Sequence, residues 1–96
     1  MAKEVKIFKL INGDEIVAYA TERLQGGYDV EKPRAMQVMP TREGPQAGLV
    51  PWIITNPDMS LTLTTDKYFC AGEAPKHVED YYLEITSSIK IASSLN

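Results

Sequence analysis

The sequence predicts a small, mainly β domain with one helix at its C-terminal end. Short apolar runs alternate with turn signals up to Ala71, which is typical of short antiparallel strands. From Val78 onward, apolar residues recur at spacings of three and four, which is typical of an amphipathic helix. The chain of 96 residues has the length of one domain and is too short for two cores, so residues 1–96 are interpreted as a single domain.

The first two strands are marked by the turn between them. One apolar run extends from Val5 to Ile11, and a second extends from Ile16 to Leu24. Asn12-Gly13-Asp14 separates them, and Asn-Gly is a strong hairpin signal because both central positions of a type I′ turn need a positive φ. We therefore predict a β-hairpin with Asn12-Gly13 at its tip.

A longer third strand is predicted from Tyr28 to Val38, and Lys32-Pro33-Arg34 interrupts it. Proline cannot donate a hydrogen bond to a strand ladder, so this triplet indicates a bend or an edge position. Its two cations form either a local basic patch or part of a solvated bend. Segment 40–48 is rich in proline and glycine and is interpreted as a loop.

Further strand-like runs follow this loop. Leu49 to Thr55 is apolar and β-branched, with Pro51 marking an exposed edge, and Ser60 to Thr64 alternates cleanly. A tight turn at Thr65-Asp66-Lys67 leads into a last short strand, Tyr68 to Ala71. Strands between about residues 4 and 71 are therefore predicted to form a five-stranded, bent antiparallel sheet that folds over as a small SH3-like barrel.

The helix is predicted from about Pro75 to about Ile91. Proline is well placed in the first turn of a helix, where its missing N–H has no partner to lose. The apolar positions of the helix form one stripe, as expected for an amphipathic helix that packs against a core. They are Val78, Tyr81, Tyr82, Ile85 and Ile89.

Composition limits the classes of function. The net charge of −3 is unusual for a protein that holds nucleic acid by neutralising phosphates, so RNA binding would need a local patch, stacking or a surface made by assembly. The single cysteine, Cys70, excludes an internal disulfide and fits a reducing cytoplasm. No apolar run reaches the ~18–20 residues that span a membrane, and the N-terminus lacks a signal-peptide core. We expect a cytoplasmic protein without a membrane partner.

Signatures of catalysis are missing from the sequence. One histidine and one cysteine cannot build a His/Cys zinc site, and no glycine-rich phosphate loop precedes a helix. His77 with Asp80 and a serine could be drawn as a triad, but a solvated or capping histidine is the simpler interpretation. Cys70 is interpreted as a small core residue. We expect no enzyme activity, no metal, no cofactor and no small-molecule substrate.

The order of motifs resembles that of the Sm-like family of ring-forming RNA-binding proteins. Segment 10–18, with Gly13 in its turn and Ala18 at a small position, is similar to the opening of the family's first motif. Segment 61–70 has the shape of the second motif, an apolar strand, a short polar turn and a final apolar strand. The Asn-Gly-Asp opening is similar to that of small Sm-like proteins of bacterial viruses. The resemblance covers the chain up to Ala71, as pattern more than identity.

This resemblance implies a homo-oligomeric ring that binds single-stranded RNA through two loops. The residues that would contact RNA are Tyr28, Asp29, Thr65, Asp66 and Lys67. Departures from the family also appear: Asp29 replaces an RNA-contacting asparagine, and Thr64-Thr65 stands where many members carry Arg-Gly. The predicted helix lies at the C-terminal end, whereas most members carry one at the N-terminal end.

Each of these positions also has an ordinary structural interpretation. Tyr28 is either a platform for base stacking or a core tyrosine in register with Val30. Asp66 and Lys67 either meet RNA at a ring pore or form a plain polar turn. The same fold acting only as a protein-assembly module, without RNA, is the alternative function.

An oligomer interface is predicted on the last two strands and on Trp52. A proline-marked edge strand that carries tryptophan and isoleucines would be an aggregation hazard if left free, and edge pairing into a closed ring would remove it. Pairing is expected between the strand Ser60 to Thr64 and the strand Lys67 to Ala71 of a neighbour. The predicted interface residues are Trp52, Leu61, Leu63, Tyr68 and Phe69.

Overall fold

The computed structural model describes residues 3–87 and shows a mainly β protein with one C-terminal helix. Strand β1 spans Glu4–Leu10, β2 Glu15–Glu22, β3 Tyr28–Thr41, β4 Gly44–Pro51, β5 Ser60–Leu63 and β6 Tyr68–Glu73. Helix α1 spans Lys76–Thr86. The mainly β class and the helix after the strands are confirmed, but there are six strands rather than the five predicted.

All strand pairs are antiparallel, in the order β4-β3-β2-β1-β6. The long strand β3 pairs with two strands on its outer side: β5 along Tyr28 to Glu31, and β4 along Arg34 to Thr41. Thus β4 and β5 behave as one interrupted partner strand. Within residues 3–87 the sheet is open rather than closed into the predicted SH3-like barrel, because β5 pairs with β3, β6 pairs with β1, and the two do not pair with each other.

The segment predicted as a loop, residues 40–48, forms most of a hairpin instead. Thr41 pairs with Gly44 and Pro40 with Pro45, and the ladder continues to Arg34 and Pro51. Both prolines are tolerated because each lies where its strand pairs on one side only: Pro45 is on the edge strand β4, and Pro40 is on the part of β3 beyond Ala35, which pairs with β4 but not with β2. The run that was expected to extend to Thr55 ends as a strand at Pro51, and residues 52–59 form turns.

The β1–β2 hairpin lies where it was predicted, but its turn is of another type. Gly13 has φ 100°, whereas Lys32 is the only non-glycine with a positive φ in the described part of the chain, so Asn12 does not adopt a type I′ conformation. The Gly13 amide donates to the Leu10 carbonyl (2.9 Å), and the Leu10 amide donates to the Asp14 carbonyl (2.8 Å). This is a turn closed by a left-handed glycine, in which only the glycine needs positive φ.

The predicted bend in β3 is real and centres on a β-bulge. Val17 pairs with Arg34 and Tyr19 with Glu31, so Lys32 and Pro33 together lie opposite one residue of β2. Lys32 has φ 52° and Pro33 is fully buried. Two residues against one increase local twist, which turns the second half of β3 away from the first.

Two hydrophobic clusters lie on opposite faces of the sheet. Ile16, Ala18 and Ala20 belong to the first, while Val17 belongs to the second, which follows the period-two alternation of β2. The first cluster also contains Phe8, Leu10, Val30 and Leu63. The second contains Val5, Leu49 and Tyr82, and α1 covers it. Because the helix supplies a second cover, β2 is apolar on both faces.

Helix α1 is attached to the sheet by Tyr82, which is fully buried. The Tyr82 hydroxyl accepts a hydrogen bond from the Tyr19 amide (3.1 Å) and donates to the Lys32 carbonyl (2.8 Å). It therefore satisfies two main-chain groups at the bulge. Tyr81, predicted on the same packing stripe, is 42% exposed. The helix ends at Thr86, earlier than predicted, and the predicted stretch 88–91 lies outside the described residues.

Three polar predictions change with the structure. Cys70 is exposed rather than a core residue. Arg34 is buried, and its guanidinium donates to the Pro57 carbonyl (2.6 Å) and to the Asp58 carboxylate (2.9 Å). Since the Lys32 ammonium donates to the Thr86 carbonyl (3.3 Å), the two cations beside Pro33 hold the loop and the helix and form no basic patch. His77 is exposed in the first turn of α1, as expected.

Candidate interaction surface

The two ends of the open sheet, β5 and β6, are consecutive in the chain and face a common seam. The turn from Thr64 to Lys67 joins them, and its Lys67 amide donates to the Thr64 carbonyl (3.0 Å). The Ile11 amide donates to the Lys67 carbonyl (3.1 Å), which fixes the β1–β2 turn against the same seam. Within residues 3–87, β5 pairs only with β3 and β6 only with β1, so each of these two strands has one edge without a partner strand. Unpaired edges of this kind are templates for another chain.

A groove of about 290 Å³ opens along this seam. Apolar side chains of Ile11, Trp52 and Leu61 contribute to its walls, and Lys67 lies at its polar side. The remaining lining residues are Leu10, Asn12, Thr62 and Leu63. A site of this shape combines an apolar floor with a few polar groups, as binding sites commonly do.

Three of the five predicted interface residues, Trp52, Leu61 and Leu63, line this groove. Trp52 is not on an edge strand, which corrects the prediction: it follows β4, is half-buried, and its indole N–H donates to the Asp14 carboxylate (3.0 Å). Leu63 is buried in the first hydrophobic cluster, and Leu61 packs against it. These side chains therefore shape the groove from inside the subunit.

The other two predicted interface residues lie on β6 and differ sharply in exposure. Tyr68 packs edge-on against Phe8 with ring centroids 5.7 Å apart, and burial raises the pKa of its phenol. Phe69 is 73% exposed. Tyr68 thus packs half-buried against the first hydrophobic cluster of its own subunit, while Phe69 offers an apolar surface to a partner.

Tyr28, the predicted stacking platform, belongs to an aromatic cluster at the rim of the core. Its ring lies 5.3 Å from that of Phe8 in an edge-on arrangement and 6.0 Å from that of Tyr68. The Lys6 ammonium lies 5.8 Å from the Tyr28 ring centroid. The ring is half-buried, so packing occupies part of the surface that stacking would need.

Asp29 already has partners inside the subunit. Its carboxylate accepts a hydrogen bond from the Thr62 hydroxyl (2.9 Å) and lies 3.6 Å from the Arg23 guanidinium. The negative charge that replaces the family's asparagine is therefore partly offset by Arg23. This arrangement ties β3 to β5 across the ladder in which Asp29 and Thr62 are paired.

The predicted turn Thr65-Asp66-Lys67 is exposed throughout. The Thr64 hydroxyl donates to the Asp66 carboxylate, and this bond holds the pKa of Asp66 below its ordinary value. The Lys67 ammonium lies 3.9 Å from the same carboxylate. These contacts shape the turn and leave the lysine accessible to solvent.

The two predicted RNA-contacting loops come together within one subunit. Tyr28 pairs with Leu63, two residues before the second loop begins at Thr65, and a side chain at Gly26 would contact the Thr65 methyl group at 3.4 Å. Arg23 and Lys67 stand beside Asp29 and Asp66, so the formal charges of these four groups cancel. The surface offers a turn with two threonine hydroxyls, Thr64 and Thr65, beside an aromatic rim rather than a basic patch.

Two features, one at the seam and one elsewhere on the molecule, were missed in the sequence. Ile11 and Asp14 were assigned only to a strand end and a turn, yet Ile11 is 54% exposed beside the groove and Asp14 holds Trp52. A second groove, of about 480 Å³, lies between the β3–β4 hairpin and α1 and is lined by Met36, Leu49, Val78 and Tyr81 among others. The apolar alternation of the hairpin was the available signal for it.

Comparison with known proteins leaves the family open: no family model matches the sequence, and no curated protein matches it significantly. Among residues 3–87, no cluster of three or more histidine, cysteine, aspartate or glutamate side chains could hold a metal ion. The one helix described is too short to span a membrane.

Proposed function

We propose that this chain is an Sm-like protein that assembles into a homo-oligomeric ring through β5 and β6 and binds single-stranded RNA on that ring. The single observation that carries the proposal is the seam, at which two consecutive strands each keep an open edge. Pairing β5 of one subunit with β6 of the next would continue the sheet from subunit to subunit. In this view the bent, open sheet is a small barrel that is not closed between β5 and β6, because these two edges pair with neighbouring subunits.

Self-assembly through this seam explains features that an isolated subunit leaves unused. An edge strand with a large exposed side chain is usually blunted by charge, proline or a covering element. Here β6 carries Phe69 and Cys70 in the exposed state. A contact that joins different edges of identical subunits is heterologous, and such contacts close into rings when the rotation permits.

Concentration-dependent hydrogen exchange, with light scattering on a sizing column, tests the assembly. The subunit mass is 10.7 kDa, and we expect a multiple of it at micromolar concentration. Amides of residues 60–63 and 68–73 should exchange more slowly in the assembled protein than after dilution. Amides of the β3–β4 hairpin, residues 37–47, serve as the internal control. A mass of one subunit at all accessible concentrations would reject the proposal.

RNA binding is supported by the resemblance and by the convergence of the two loops beside an exposed lysine. Since the neighbouring charges cancel, binding would rest on stacking and hydrogen bonds, and its affinity should fall with salt less steeply than that of a basic binder. Repetition around the ring would strengthen a weak contact, because linked sites raise the effective concentration.

The test for RNA is titration of the protein with oligo(U) and oligo(A) at low salt. Lys67→Ala should weaken binding without changing the oligomer mass, and Lys76→Ala, at the start of α1, is the matched control. If Lys67→Ala binds as tightly as the wild type, the loop assignment is wrong. If the wild type binds neither oligonucleotide, the alternative applies: an assembly module of the same fold, which the engaged Asp29 carboxylate favours.

A further inference from the structure

Phe69 is placed in solvent by a β-bulge. Cys70 pairs with Lys9 and Tyr68 with Leu10, so Phe69 has no opposite residue in β1. Tyr68 and Ala71 both pack against the first hydrophobic cluster, and the two residues between them are exposed. Bulges at sheet edges commonly re-aim a side chain, and here the bulge turns the phenyl ring away from its own core.

The groove at the seam is the matching cavity. Its volume of about 290 Å³ is sufficient for one aromatic ring, and Ile11, Trp52 and Leu61 give it apolar walls. Phe69 lies on β6, whereas Leu61 lies on β5, so the protruding ring and the cavity belong to the two different edges that self-assembly would bring together. A protruding residue and a cavity on different surfaces of one chain make a head-to-tail contact.

We propose that Phe69 of each subunit inserts into the groove bounded by Ile11, Trp52 and Leu61 of the next copy, and that this contact anchors the oligomer. The inference rests on the proposed assembly through β5 and β6 and names the residue that gives it strength. Large aromatic side chains that fill a central pocket typically dominate the energy of an interface. Main-chain pairing of the edges would supply direction, and the phenyl ring would fix the register.

Trp52 provides a direct readout because it is the only tryptophan in the chain and lines the groove. In the wild type, Trp52 emission should shift to longer wavelength on dilution, when the groove opens to water. In Phe69→Ala the emission should already be shifted at concentrations where the wild type is assembled. The midpoint of dissociation should rise by about tenfold or more in this variant. Leu24→Ala, which truncates a 93% exposed leucine on the β2–β3 turn, is the control and should leave both quantities unchanged.

Ile11→Ala tests the groove from the other side and should also raise the dissociation midpoint. The double variant Phe69→Ala/Ile11→Ala should weaken assembly by less than the sum of the two single effects, because both changes remove the same contact. Unchanged dissociation in Phe69→Ala, with an assembled wild type, overturns the anchor while leaving edge pairing intact. Additive effects of the two single changes would also overturn it. A monomeric wild type overturns both the proposed assembly and the Phe69 anchor. If Phe69→Ala still forms a stable oligomer and oligo(U) shifts its Trp52 emission, the groove binds a base instead.

Discussion

Replacing Tyr82 with phenylalanine should destabilise the protein although the buried ring is kept. The hydroxyl serves the Tyr19 amide and the Lys32 carbonyl, and the side chain is 0% exposed, so water cannot replace it without opening the site. Leaving a buried donor or acceptor without a partner costs about 1–3 kcal/mol. Since Phe leaves no cavity, we expect the loss in the free energy of unfolding to lie in this range.

Urea unfolding followed by circular dichroism at one fixed protein concentration measures this loss, since assembly makes stability concentration-dependent. In a domain of this size, each kcal/mol lowers Tm by roughly 4–8 °C. Tyr81→Phe is the matched control, because the same atom is removed from a side chain that is 42% exposed, and it should change stability by about 0.5 kcal/mol or less. Equal stability of the two variants would show that the bulge does not depend on the Tyr82 hydroxyl.

Three further predictions concern pH, a close approach and a buried cation. Burial is the main cause that raises the pKa of Tyr82 above its ordinary value of 10.0, so its contribution to stability is complete below about pH 10 and is lost as pH rises further. In urea unfolding, the stability difference between wild type and Tyr82→Phe should therefore be constant below about pH 10 and should narrow as the pH is raised above it. Gly27→Ala would place a Cβ atom 2.3 Å from a main-chain oxygen of β5 at φ 80°, whereas Gly44→Ala, at φ 108°, meets nothing within 4 Å. Thermal unfolding should therefore show that Gly44→Ala lowers the free energy of unfolding by about 1–2 kcal/mol and that Gly27→Ala lowers it clearly more. Arg34→Ala should lower the free energy of unfolding by about 1.5–3 kcal/mol. It should also raise the rate of proteolysis within residues 52–59, because the hydrogen bonds of Arg34 to the Pro57 carbonyl and the Asp58 carboxylate hold that loop. Cleavage at the wild-type rate would contradict this role.

Local patterns in the sequence predicted the parts of the fold that depend on neighbouring residues. The hairpin at Gly13, the alternation of β2 and the bend at Pro33 all follow from backbone preferences or from the period of burial. The strand within residues 40–48 was missed because Pro40 and Pro45 resemble loop residues. They fit a ladder only because that hairpin lies at the edge of the sheet, which is a property of the topology rather than of the segment.

The candidate site was less predictable because its decisive contacts join distant segments. Trp52 was placed on an open edge, but its indole is held by Asp14, 38 positions away. Arg34 was considered for a basic patch, but its guanidinium is bound by the loop at Asp58. No local pattern encodes such pairings, since each partner is an ordinary polar residue in its own segment.

The bond between Tyr82 and the β-bulge also has a consequence for the order in which the protein folds during synthesis. The Tyr19 amide and the Tyr82 hydroxyl are 63 positions apart, so a ribosome adds all the residues of β1 to β6 before it adds the residue that joins the helix to them. Until then, the face that carries Val5, Val17 and Leu49 has no cover. Any stage of folding at which the strands have paired and α1 has not yet docked therefore exposes one apolar face, and exposed apolar surface favours contact with a chaperone or with another chain.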